Sequence, residues 1–281
     1  MGLTFAGTSL GGAAMIVIAN KAIAIGGWRA GYVAMALPMI LIVAPLVMFV
    51  VRGRSSSGSV VGEPTIKQPA PVVLPGVELS EAFRTRSFWL IGIAEFFYAC
   101  AIGGILVHVV VYLIAAGYTA SLAASSLSTI YLMSTFGKLS MGPSADRLSP
   151  RIVLSFVFAG AAIGTLLLLG ARSGLMLAGF IVLVGIASGT PLVLLPLVFI
   201  QSLGLKRLGS VQGVAGIFAT VGAAIGPVTA GRIFDVSGSY AIAFGAFAAM
   251  WLAAALAIYA CIPLKQEVAR LRLADGTEAV A

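Results

Sequence analysis

Glu95 and His108 are the side chains of this sequence best suited to handling a proton. Glu95 is the only carboxylate well inside a long apolar stretch, and His108 is the only histidine. An acid in apolar surroundings is costly unless it faces protein, water or a partner, so it marks an ion or proton path. The competing reading is a shallow acid paired with a nearby arginine. An imidazole titrates near neutral pH and can join a proton step; the competing reading is a histidine satisfied by packing. Thirteen steps of about 100° carry His108 well around a helix from Glu95, so no direct pair is expected. Tyr98 stands three residues beyond Glu95. Ser125, Ser126, Ser128, Tyr131, Ser134 and Thr135 form a polar stripe, from which Ser128 and Tyr131 are taken as candidates to line a pathway. Hydroxyls of this kind also serve as glue between helices.

Other chemistry has little to work with. Neither the paired-histidine metal motif, the serine nucleophile elbow nor the phosphate-binding lysine loop is present. Cys100 and Cys261 lie in apolar stretches, where a thiol acts as a small apolar group. No enzyme activity, catalytic residue, metal or cofactor is expected. The net charge of +8 invites a nucleic-acid reading. The charges cluster at the ends of apolar stretches instead, and no nucleic-acid partner is expected.

The elements that must position these residues are long and apolar. Hydrophobic residues make up 60% of the chain and charged residues 9%, against about 45–50% and about 25% in soluble domains. A bilayer crossing takes about 20 apolar residues. Eight stretches qualify: 3–25, 31–51, 88–115, 119–140, 152–170, 174–203, 208–233 and 240–262. The expectation is an all-α, polytopic integral membrane protein with eight transmembrane helices and the lipid bilayer as its main partner.

Residues 1–51 hold two of these helices, residues 52–86 a Ser/Pro-rich linker, residues 87–264 six helices and residues 265–281 a tail. The end of the linker, Leu79 to Arg86, has the pattern of a short surface helix. Thirteen basic residues fall on one set of span ends, while Lys21, Arg29, Arg172 and Arg232 fall on the other. Basic residues stay on the cytoplasmic side, so both termini are expected there. Lys138, Arg232 and Lys21 are read as lying near span ends, which leaves no base in mid-span.

Three further patterns stand out. Gly142-Pro-Ser-Ala-Asp146-Arg147-Leu-Ser-Pro-Arg151 joins two closely spaced spans, and Pro150 is a suitable first residue for the second. Gly222, Gly226 and Pro227 combine small residues at four-residue spacing with a break in the ladder, giving close packing or a hinge. Gly103-Gly104 is a candidate break in the third span. A weak internal repeat aligns residues 4–36 with 216–248, pairing Gly26 with Gly238 and Trp28 with Tyr240.

The Gly142…Asp146-Arg147…Arg151 segment resembles the loop signature of the major facilitator superfamily of secondary transporters. Ala6-Gly-Thr-Ser-Leu-Gly-Gly12, Gly26-Gly-Trp-Arg-Ala-Gly-Tyr32, Arg86-Ser-Phe-Trp89 and Leu106-Val-His108 are similar to its monocarboxylate and organic-anion branch, the oxalate:formate antiporter-like proteins. Ser149 and Pro150 depart from the family pattern after Asp-Arg.

The resemblance implies a six-helix C-terminal bundle preceded by the last two helices of the N-terminal bundle. That is helices 5–12 of twelve, so the chain looks truncated at its front. It also implies a secondary active transporter working by alternating access, coupled to protons, with a small solute of organic-anion or monocarboxylate type. Gly142, Asp146, Arg147 and Arg151 would form a cytoplasmic gate, and the plasma (inner) membrane of a bacterium is the expected location. The alternative is a truncated or accessory membrane protein with no transport of its own, whose partner supplies the missing helices.

Overall fold

A computed structural model describes residues 2–50, 75–170 and 173–274. Met1, residues 51–74 and 171–172, and the chain beyond Ala274 lie outside the described residues, as does the side chain of Asp146. The described elements are helical, apart from an isolated antiparallel bridge between Gly76 and Gly204. The chain divides into two compact units, residues 11–73 and residues 1–10 with 74–281.

The first unit holds most of α1 (Gly2–Pro38), a π-helical turn (Met39–Val43) and α2 (Ala44–Val50). Helical backbone is interrupted inside α1 at Gly26 (φ −134°, ψ 17°) and Gly27 (φ 70°, ψ −173°). Sequence places the boundary between the first two spans at this point. A positive φ is cheap for glycine and costly for other residues. Pro38 removes a helical N–H, and the widened turn follows directly after it.

The second unit contains α3 (Leu79–Ala82), α4 (Arg86–Ala115), α5 (Ala120–Arg147), α6 (Pro150–Leu169), α7 (Gly174–Leu203), α8 (Leu208–Ser237), α9 (Ala241–Tyr259) and α10 (Leu264–Ala274). Thr85, Thr119 and Ser173 cap α4, α5 and α7, each accepting an N–H three residues on at 3.3 Å. Pro150 opens α6 as expected. At the other end of α7, Gly204 turns the chain with φ 85°, a conformation suited to glycine.

In this bundle α4 packs mainly on α8 and α9, α5 on α7, and α6 on α7 and α9. Phe88, Phe158, Phe180, Phe199, Phe247 and Trp251 are buried whole at its centre. Cys100 and Cys261 are free and buried, as their apolar settings required.

Three expectations change, and the count of eight spans is not reproduced. Among the described residues, six helices are long and apolar enough to cross a membrane by length and composition. Leu10–Phe49 counts among them as one 40-residue segment, and α5 falls short. The serines and threonines that make α5 polar mostly bond back to carbonyls of their own helix.

The helix break expected at Gly103-Gly104 is absent, and α4 is one 30-residue helix. These glycines are contact points: a Cβ on Gly104 would strike the Phe247 ring, and one on Gly103 would lie 3.3 Å from the Ala223 carbonyl. The Gly142–Arg147 segment is not a loop, because α5 continues through Pro143 to Arg147. Its connection to α6 is only Leu148 and Ser149.

The surface helix expected over Leu79–Arg86 shrinks to one turn, α3. In the tail, Leu264–Ala274 forms α10, and Glu267 within it is buried.

Candidate functional site

Glu95 sits on α4 nine residues from Arg86, a rise of about 13.5 Å. It is 9% exposed, and its Oε2 has no hydrogen-bond partner. Beside it is a cavity of about 320 Å³ between α4, α7 and α8. Glu95 and Tyr98 line it from α4, Pro191 and Pro196 from α7, and Gln212 and Ala219 from α8.

The Tyr98 hydroxyl donates to the Ser188 carbonyl at 3.2 Å. Its ring stacks on Phe158 at 5.7 Å and meets Trp251 at 5.6 Å, so α6, α7 and α9 all hold it. Pro191 and Pro196 cannot donate to the carbonyls one turn back, which loosens α7 where it faces Glu95. Glu95 and Tyr98 thus line one cavity. The α7 prolines and Gln212 were missed, although two prolines inside one apolar stretch were the available signal.

The other pathway candidates stand apart. Ser128 donates to the Ala124 carbonyl at 3.3 Å, and neither it nor Tyr131 lines this cavity. His108 places Nε2 3.0 Å from the Pro227 carbonyl and Nδ1 3.1 Å from the Tyr240 hydroxyl. A carbonyl only accepts. In the tautomer that fits both contacts, Nε2 donates to the carbonyl and Nδ1 accepts the tyrosine proton. His108 clamps α4 to the proline of α8 and the start of α9, and it does not face Glu95.

Lys138 needs a correction. Because α5 runs on to Arg147, Lys138 is nine residues from its end, and it is buried.

The small-residue seam is tight where it was expected. A Cβ on Gly222 would collide with the Phe96 carbonyl, and one on Gly226 with the Cys100 carbonyl. Here α4 and α8 touch backbone to backbone, as small residues permit. Gly185 and Gly189 of α7 press on Ile130 and Ser134 of α5 in the same way.

At the end of the bundle that carries Arg86, Arg151 and Lys265, the gate motif resolves into separate parts. A Cβ on Gly142 would lie 3.9 Å from Val193, ordinary contact distance. Arg147 is exposed. Arg151 donates from Nη1 to the Cys261 carbonyl just past α9, a favourable place for a cation. Ser149, where the family pattern is broken, pairs with the Gln201 side chain at 2.9 Å.

The sequence profile of the Major Facilitator Superfamily matches residues 117–276, more than half of the chain. The chain belongs to the major facilitator superfamily. An MFS-type transporter of Gibberella moniliformis (strain M3125 / FGSC 7600) is 27% identical over 247 residues. That alignment takes in 85% of this chain and 55% of the fungal protein, so the chain spans about half the length of the curated relative it matches. A superfamily chain with these apolar helices is an integral membrane protein.

Proposed function

We propose that this chain contributes the solute cavity and proton-carrying acid of a secondary active transporter working by alternating access. The observation that carries the reading is Glu95, buried at membrane depth beside a cavity with one carboxylate oxygen unpartnered. Such a group favours either a proton or a cation as its partner. Tyr98 holds the rim of the cavity, and the prolines of α7 give that helix freedom to bend. The Arg151–Cys261 contact belongs to the gate, and both termini are cytoplasmic in this reading.

The solute class rests on the resemblance to the monocarboxylate and organic-anion branch. Among the described lining residues the one charged side chain is an acid. An organic anion entering here is repelled by ionised Glu95 and admitted once Glu95 is protonated. Anion and proton then travel together.

A second reading is a chain that needs a partner for transport. It is favoured by α8, whose apolar stretch is far less buried than those of α4, α6, α7 and α9. Uptake of labelled monocarboxylates into vesicles containing the purified chain separates the two. Uptake that rises as the source side is acidified, and loses this dependence in Glu95→Gln, supports the first reading. No uptake by the chain alone, restored when the helices of a full-length relative's first half are co-expressed, supports the second. Uptake with unchanged pH dependence in Glu95→Gln removes Glu95 from the mechanism.

A further inference from the structure

Four buried side-chain atoms among the described residues have no hydrogen-bond partner: Arg151 Nε, Ser155 Oγ, Trp251 Nε1 and Glu95 Oε2. All four sit on α4, α6 and α9. Buried polar groups are paired with protein or water as a rule, and an orphan costs about 1–3 kcal/mol. Four orphans gathered in one part of one bundle call for a common partner.

Their heights are fixed by contacts at the basic end of the bundle. Ser87 of α4 exchanges hydrogen bonds with the backbone of Ile262, accepting from its N–H at 3.1 Å. Arg151 of α6 bonds the adjacent Cys261 carbonyl. The ends of α4, α6 and α9 are therefore level. From that level, at 1.5 Å per residue, Ser155 stands about 6 Å up α6 and Glu95 about 12 Å up α4. Trp251, eight residues before Tyr259, stands about 12 Å up α9.

The faces agree with the heights. Arg151, Ser155 and Phe158 follow one face of α6 at spacings of four and three. Phe158 meets Trp251 at 5.4 Å and Tyr98 at 5.7 Å. Tyr98 is one turn from Glu95 on α4. The face of α6 that carries Arg151 and Ser155 thus leads to the aromatic group surrounding Trp251 and Tyr98, next to Glu95.

The geometry points to a file of buried water molecules running from Arg151 past Ser155 and Trp251 to Glu95, separate from the α7–α8 side of the solute cavity. The donor types fit this occupant. Arg Nε–H and Trp Nε1–H only donate, an ionised carboxylate only accepts, and a serine hydroxyl does both. Water oxygens accept from Arg151 and Trp251, and water protons are donated onward to Glu95. The file gives Glu95 a proton route to the basic end that does not cross the solute. Arg151, Glu267 and Arg86 are the charged groups acting on Cys261 at the basic end. Only the purpose of the file rests on Glu95 carrying a proton; its existence is tested without that reading.

The test is magnetic resonance of the 15N-labelled chain in lipid nanodiscs. The chain has three tryptophans, so Trp251→Phe assigns the third indole signal. The Trp251 indole is expected to show a cross-peak to water although its side chain is 0% exposed. Ser155→Val is expected to weaken that cross-peak and to slow deuteration of the Trp251 indole N–H about tenfold, the loss of one hydrogen bond in the file. A Trp251 indole with no water cross-peak overturns the proposal. So does a Ser155→Val chain that is more heat-stable and exchanges the Trp251 indole at the parental rate, because deleting an orphan from a dry interior has that effect. Failure of Glu95→Gln to alter pH-dependent uptake bears on the transport reading alone.

Discussion

The carboxylate of Glu267 accepts the backbone N–H of Ser87 at 2.9 Å, across 180 residues of chain. An acid on α10 thereby satisfies one of the open N–H groups in the first turn of α4, where negative charge is also favoured. Glu267 is 1% exposed, so solvent cannot stand in for it. Replacing Glu267 with Ala should destabilise the chain by about 1–3 kcal/mol, the cost of an orphaned buried donor. Glu267→Gln keeps an acceptor and should cost less. Thermal unfolding in detergent measures both; equal losses would assign the effect to charge instead of the hydrogen bond.

The α4–α8 seam predicts a position-specific penalty. Gly226→Ala and Gly222→Ala push a methyl group into α4 backbone, which cannot yield as a side chain can. Each should cost about 1–3 kcal/mol, the usual range for overpacking. Gly213→Ala, on the same helix with nothing within 4 Å of its Cβ, should be neutral or slightly stabilising. Equal unfolding temperatures for the three variants would refute backbone contact at this seam.

His108 and Tyr240 should be energetically coupled. With one hydrogen bond between them and another from His108 to the Pro227 carbonyl, removing either partner breaks the same clamp. A cycle of His108→Phe, Tyr240→Phe and the double variant should show about 0.5–3 kcal/mol of interaction. Additive losses would mean that the clamp does not form.

Residues 75–78, a strap ahead of α3, should release in acid. Glu78 pairs with Arg207 at 2.9 Å and Lys206 at 3.1 Å. The bond from Arg207, and then that from Lys206, hold its carboxyl below the ordinary value of 4.5. A depressed folded pKa contributes stability above the unfolded value, and that stability is lost as pH falls through the folded value. Hydrogen exchange at Val77 and Leu205, whose N–H groups join the strap to the α7–α8 turn, reports the release. Relative to Glu78→Gln, their extra protection should persist above pH 4.5, fade below it and weaken in salt. The same protection in both proteins at every pH would separate the strap from the ion pairs.

Sequence alone determined that this chain lives in a bilayer, where its apolar stretches run, and that Pro150 opens one of them. Thr85, Thr119 and Ser173 also act within one turn of themselves, but their capping came to light only in the structure. The seam at Gly222 and Gly226 was legible too, because in lipid small residues admit a neighbouring backbone whichever helix supplies it. Glu95 was legible as an acid out of place, and Tyr98 as its neighbour one turn away.

Tertiary structure decided the partners. It turned His108 from a pathway candidate into a clamp on Pro227 and Tyr240, buried Lys138 inside an α5 longer than its apolar run, and docked the tail through Glu267. It also brought Ser155 and Trp251 into one story with Glu95, though they are separated by 96 residues of chain. The reason is physical. A helix satisfies its own backbone, so local sequence suffices to place it, whereas a buried side chain is satisfied by whatever the packing of other helices brings within 3 Å.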